Sequence, residues 1–207
     1  MYGMNIWRSS LRLVTATTIC VALTACGSDS SNKLRGYQAP SAKSSAGVSI
    51  TDAVTGTPFE LRADDGEVLV VYFGYTHCPD ICPTTLVAVK NAKEKLGALG
   101  SRVDLAMITV DPERDTADVL PLYLSSFTNK FHALVPASTE ELKAAEKVFD
   151  ATSSVTKVDG KVEVIHGGNC YIVDSKGAVV DEWPFGMDAQ SMAHDLRILL
   201  NERETTT

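Results

Sequence analysis

Glu67-Val68-Leu69-Val70-Val71-Tyr72-Phe73-Gly74-Tyr75-Thr76-His77-Cys78-Pro79-Asp80-Ile81-Cys82-Pro83 changes character twice in seventeen residues. Its first eight form an unbroken β-branched and aromatic run, the pattern of a strand buried on both faces. Pro79 biases Cys78 away from helical angles, and Pro83 suits the first position of a helix, so Cys82 falls near the N-cap. Leu86, Val89, Ala92 and Leu96 then share one face of a helix predicted over 83–99. A loop between a buried strand and a helix sits at the carboxyl end of that strand. In open α/β sheets that is where ligand crevices form.

The same pattern repeats on either side of this unit. Residues 48–61 predict a hairpin turning at Thr55-Gly56, and 103–110 a second buried strand. Residues 116–128 look helical, with Pro121 expected to kink that helix or delay its start. A strand over 131–135 precedes a helix that begins at Ser138, with Glu141 three residues on as a capping box. Asp159-Gly160 between 154–158 and 162–166 is a strong hairpin signal. Strands over 170–174 and 178–183 and a helix over 188–202 close the chain. The expectation is one α/β domain over residues 48–203 with a short tail, 204–207. Central parallel strands are flanked by antiparallel ones.

Composition narrows the function. The chain has 207 residues, 44% hydrophobic and 22% charged, with a net charge of −7. That is globular and argues against a nucleic-acid partner, and neither a P-loop nor a dinucleotide fingerprint is present. Residues 1–25 carry Arg8, Arg12, no acid, and an apolar stretch from Leu13 to Ala25. This is too short and too rich in threonine to span a bilayer, and it reads as a secretory signal peptide. It ends in Leu23-Thr24-Ala25-Cys26, which resembles a bacterial lipobox, so Cys26 is the expected lipidation site. Residues 26–47 are polar and aperiodic and predict a flexible tether with an r.m.s. reach of roughly 25 Å. The protein is thus expected on the extracytoplasmic face of the cell membrane, held by a lipid anchor.

With Cys20 removed and Cys26 acylated, the exported part keeps Cys78, Cys82 and Cys170. Two thiols in one tight turn can form a structural disulfide, act as a redox pair, or converge on a soft metal ion. The helix N-terminus beside Cys82 is expected to lower its pKa. His166, before Gly167-Gly168, is a candidate third ligand. His77, His132 and His194 read as solvated or structural, and Cys170 as a small buried hydrophobe.

The stretch from Val70 to Pro83, then Asp111-Pro112-Glu113-Arg114-Asp115-Thr116, then His166 five residues before Tyr171-Ile172-Val173-Asp174, resembles the Sco/SenC family. Its members are thioredoxin-like, membrane-tethered copper proteins that assist assembly of cytochrome c oxidase. The resemblance implies a thioredoxin-like fold, with the second hairpin inserted before the histidine. It implies a copper ion on Cys78, Cys82 and His166, with Asp111 and Asp115 shaping the site from behind. The function it implies is a metallochaperone for the binuclear copper centre of oxidase subunit II, served by a copper donor and an external thiol reductant. The alternative is a thiol–disulfide oxidoreductase, using the Cys78/Cys82 dithiol, that reduces the partner's ligand cysteines. Gly167, Gly168 and Cys170 depart from the bulkier residues expected there and suggest a more mobile ligand loop.

Overall fold

The computed structural model describes residues 1–2 and 33–204, with side chains up to 201. Apart from its first two residues, the predicted signal peptide lies outside the described residues, as does Cys26. The chain divides into two units, Met1–Ser30 and Ser31–Thr207, and the second carries everything that follows.

Two strands make its centre. β3 (Val68–Gly74) and β4 (Val103–Thr109) are buried at every position and run parallel, with Val68 opposite Val103 and Gly74 opposite Thr109. β5 (His132–Leu134) lies parallel on the far side of β4. β8 (Cys170–Val173) pairs antiparallel with β3, placing Cys170 beside Tyr72, and β9 (Val179–Trp183) pairs antiparallel with β8. The N-terminal hairpin of β1 (Ser49–Asp52) and β2 (Thr57–Glu60) completes a seven-stranded sheet of order β2-β1-β5-β4-β3-β8-β9. The expected central parallel strands with antiparallel flanks are what the sheet shows.

The helices cover both faces of this sheet. α1 (Ile81–Lys95) packs with α4 (Ala189–Glu204) on the face that carries Tyr72, Gly74 and Cys170. On the other face Phe149 of α3 (Thr139–Phe149) meets Phe73 and Tyr171, with ring centroids 5.7 and 4.9 Å apart. Ser138 caps α3 by accepting from Glu141 N, as the capping box predicted. α2 is shorter than expected, Val119–Leu124. Pro121 sits in its first turn, where a missing amide hydrogen costs nothing, so the proline delays the helix instead of bending it. β6 (Ser153–Val158) and β7 (Lys161–His166) form a separate two-stranded sheet. Their turn uses Asp159 and Gly160 at φ 49° and 75°, as a two-residue hairpin loop requires.

The predicted tether is corrected over its second half. Tyr37 exchanges backbone hydrogen bonds with Glu182, and Lys43 O accepts from Val179 N. Ser45 is fully buried, and its hydroxyl donates to Leu61 O and Gly177 O. The amides of Arg35 and Gly36 both donate to the buried Asp195. The physical reason is the exposed edge of β9, whose outward backbone groups need partners.

Asp181 of β9 lies against the same segment. Burial pushes its carboxyl up to about 6; Gln38 opposes this by donating to it, and the neighbouring Asp195 adds to it. A carboxyl raised on folding holds its proton more tightly in the folded chain. Its contribution therefore weakens as pH rises from about 4 to about 6. In urea titrations the wild type should lose stability relative to Asp181→Asn between pH 4.5 and 7. A constant difference across that window would refute the assignment.

Candidate metal centre

Strand direction explains why three distant motifs meet. β3 and β4 are parallel, so the loops after Gly74 and after Thr109 leave the sheet at one edge. β8 is antiparallel to β3, so the residues before Cys170 arrive at that same edge. There Cys78 Sγ lies 3.8 Å and Cys82 Sγ 3.5 Å from His166 Nε2, and the three ligand atoms all lie within 4.8 Å of one another. Among the described residues no fourth His, Cys, Asp or Glu joins them.

Both cysteines are free thiols. Asp80 stands at the N-cap of α1 without capping it through its side chain. The Cys82 amide instead donates to Cys78 Sγ at 3.3 Å, so a sulfur takes the capping position. Cys82 sits in the first turn, yet the predicted depression of its pKa is overturned. Burial pushes its thiol up to about 12, outweighing what Tyr72 and the Tyr75 backbone contribute in the other direction. Desolvation of a fully buried sulfur exceeds the pull of the helix terminus, and a bound cation would reverse the balance.

His166 ends β7, which delivers it to the site from outside the main sheet. Its Nδ1 lies 2.7 Å from Gly167 O. Donation there fixes the tautomer and leaves the Nε2 lone pair facing the sulfurs. Burial lowers its pKa, against opposing backbone hydrogen bonds at Gly167 and Phe73, and favours the neutral, ligating form. The rings of Tyr75 and Tyr72 stand edge-on to it at 5.5 and 6.3 Å. Edges of 3.5 and 3.8 Å suit a first-row ion held roughly 2.0 Å from nitrogen and 2.3 Å from sulfur. Two thiolates and one imidazole, with no further protein ligand, favour a soft ion over structural zinc. A cavity of about 370 Å³ lined by Tyr75, Pro79, Ile81, Val164 and Ile165 opens onto Cys78 and His166.

Asp115 is fully buried behind the cysteine loop. Its carboxylate accepts from Thr76 N at 2.9 Å, Thr76 Oγ1 at 2.5 Å and Thr109 Oγ1 at 2.7 Å, joining the loop to the end of β4. Asp111 is buried as well and pairs with Arg114, whose guanidinium lies over the Tyr75 ring. Neither carboxylate joins the ligand group.

The remaining candidates stand apart from the ligands. His77 is half exposed, 3.8 Å from Asp115. His132 bonds Asp52 and Asp104 and stacks on Phe59. His194 lies 3.1 Å from Lys33 O. Cys170 is buried, its thiol pushed up to about 12 by desolvation and by Cys82.

Two glycines matter that carry no chemistry. A Cβ on Gly74 would lie 2.7 Å from the Tyr72 ring, 3.0 Å from Cys82 Sγ and 3.0 Å from Met107. Only a bare backbone lets Cys82 pack there. One on Gly168 would lie 2.8 Å from Phe185, so this glycine is filled by a neighbour and is not slack in the ligand loop. Gly74, closing a β-run just before the cysteine loop, was the available signal for the first; nothing local announced the second.

An α/β domain with two thiols and an imidazole gathered at the carboxyl edge of its parallel strands defines a thioredoxin-like metal-binding protein. The chain belongs to the SCO1/SenC family, whose model matches residues 49–201. It is 32% identical over 152 residues to a SCO2-like protein of Rickettsia prowazekii, covering 66% of this chain and 73% of the relative. It is 37% identical over 115 residues to a mitochondrial SCO1 homologue of Arabidopsis thaliana, covering 50% of this chain and 34% of that one. Among solved structures it is similar to copper-bound ScoI of Bradyrhizobium japonicum, with a TM-score of 0.62, 28% identity, and coverage of 72% and 95%. Yeast Sco1 gives a TM-score of 0.65 and 26% identity, with coverage of 75% and 96%.

Proposed function

We propose that this chain is a copper metallochaperone. Cys78, Cys82 and His166 bind one copper ion, and the protein assists assembly of the binuclear copper centre of cytochrome c oxidase subunit II. The observation that carries the reading is the convergence of three ligand atoms within 4.8 Å. Copper-bound family structures from three organisms support the choice of metal. Both cysteines supply thiolates, His166 its Nε2, and the three-ligand set suits Cu(I). Asp115 holds the cysteine loop, and Asp111 with Arg114 holds the Tyr75 wall of the cavity. A lipid on Cys26 keeps the domain at the extracytoplasmic membrane face, and an outside copper donor and thiol reductant recharge it. No described helix is long and apolar enough to cross a membrane. Mass spectrometry of membrane-extracted protein tests the anchor, since a mature chain not starting at an acylated Cys26 would remove it.

Reduced protein should bind one Cu(I) per chain, and protein carrying a Cys78–Cys82 disulfide none. Equal binding by both forms would overturn the ligand assignment. One observation favours the thiol–disulfide reading: Cys78 and Cys82 are both free thiols, and their sulfurs lie within 4.8 Å of each other in one turn.

A further inference from the structure

The sheet of β6 and β7 has an outer edge on each side, and its register shows which backbone groups point along them. Gly167 N donates to Thr152 O just beyond the opposed residues Ser153 and His166. Bonded and unbonded pairs alternate in an antiparallel ladder. The bonds inside the hairpin are therefore exchanged by Ser154 with Ile165, Thr156 with Glu163, and Val158 with Lys161. The N–H and C=O of Ser153, Val155 and Lys157 point outward from β6, and those of Val162, Val164 and His166 outward from β7.

The two edges differ in what meets them. On β6, Lys143 Nζ donates to the outward Ser153 O at 2.7 Å, and Lys157 pairs with Glu113 at 2.8 Å. On β7, Val162 and Val164 have no main-chain partner outside the hairpin among the described residues. This edge borders the cavity of about 370 Å³ that Val164, Ile165 and His166 line together with the cysteine loop. Edges left to water are usually short or blunted by a proline or a bulge, yet β7 runs six residues with neither. Ile165, next to the ligand histidine, is 74% exposed.

We propose that the β7 edge docks an extended segment of the copper-receiving partner, which adds antiparallel as a third strand and sets a thiol, thioether or imidazole side chain opposite His166. A row of outward backbone groups is matched by another extended backbone, and alternate side chains give such pairing its specificity. Directly opposed residues share a face of the sheet, with Cβ atoms roughly 4.5–5.5 Å apart. The donor opposite His166 then stands on the face from which the imidazole meets the cysteines, and its neighbour two places along, opposite Val164, is apolar. A second copy of this chain paired about Val164 would instead set Val162 opposite His166, a side chain with no donor atom. The inference rests on the function proposed above and gives the form of the partner's contact.

The test uses full, reduced, Cu(I)-loaded chains and the soluble copper-centre domain of oxidase subunit II. Amide exchange is read by NMR at Val162 and Val164, with Glu163 and Ile165, bonded to β6, as the internal reference. In the free chain the two valine amides should exchange faster than the reference pair, and the added domain should slow them to the same level. Val162→Pro removes an outward N–H and none inside the hairpin. It should keep wild-type Cu(I) affinity in chelator competition yet bind the domain about tenfold or more weakly, whereas Val162→Ala should stay within about twofold of wild type. The exchange measurement needs wild type alone and decides the matter if the proline variant misfolds. A proline variant that bound the domain as wild type does would overturn the inference, as would protection arising from self-association without the domain. Wild type that held no Cu(I) would overturn the copper reading and this inference with it. Wild type that held Cu(I) but left the valine amides unprotected beside the domain would overturn this inference alone.

Discussion

Replacing His166 with Ala is expected to weaken Cu(I) binding by roughly a hundredfold or more while the Cys78/Cys82 pair still forms and breaks its disulfide. Loss of a group that only orients a ligand costs about 10–100-fold, so loss of the ligand itself belongs at or beyond the top of that range. Dithiol–disulfide exchange depends on thiolate attack and on the leaving thiol, and needs no imidazole. Cys78→Ser and Cys82→Ser should abolish both properties. The comparison separates the two functions, because only the metal reading uses Nε2 at 3.5 and 3.8 Å from the sulfurs. Cells carrying His166→Ala should assemble oxidase about as poorly as the cysteine variants. Normal oxidase in those cells beside failure in the cysteine mutants would hand the function to the reductase reading.

Asp115→Ala should cost about 2–4 kcal/mol of stability, since a buried carboxylate with three donors is removed and Thr76 N and Thr109 Oγ1 lose the acceptor they use. Because two of those donors belong to Thr76, the loss falls on the cysteine loop. Copper affinity should therefore drop further than the general loss of stability explains. Asp115→Asn retains one acceptor oxygen and should lie between wild type and alanine. Urea denaturation and chelator competition read the two effects, and an alanine variant within 0.5 kcal/mol of wild type would refute the bracing role.

How far these features could be read beforehand follows from the kind of force behind each. β3, β4 and the Asp159-Gly160 turn were legible because side-chain type and local backbone angle specify them. The docked segment from Arg35 to Ser45 was not, since backbone groups and buried carboxylates hold it and neither leaves a periodic trace. Cys82 shows the same limit in electrostatics. Its closeness to a helix start is written in the residues around it, but the depth that pushes its thiol up to about 12 arises only from tertiary packing. Taken alone, His166 was a candidate among four histidines. The antiparallel entry of β8 brings it home, across 84 residues from Cys82.

That sequence separation has a mechanical side. The cysteines ride on the main sheet and α1, whereas His166 rides on a hairpin that shares no ladder with that sheet. An ion bound to all three closes a long loop and acts as a removable cross-link, its benefit growing with the entropy of the loop it closes. On the copper reading, two ligands of the ion belong to one short turn and the third to a separate hairpin, so a change in the hairpin's position would alter one ligand and leave the other two in place.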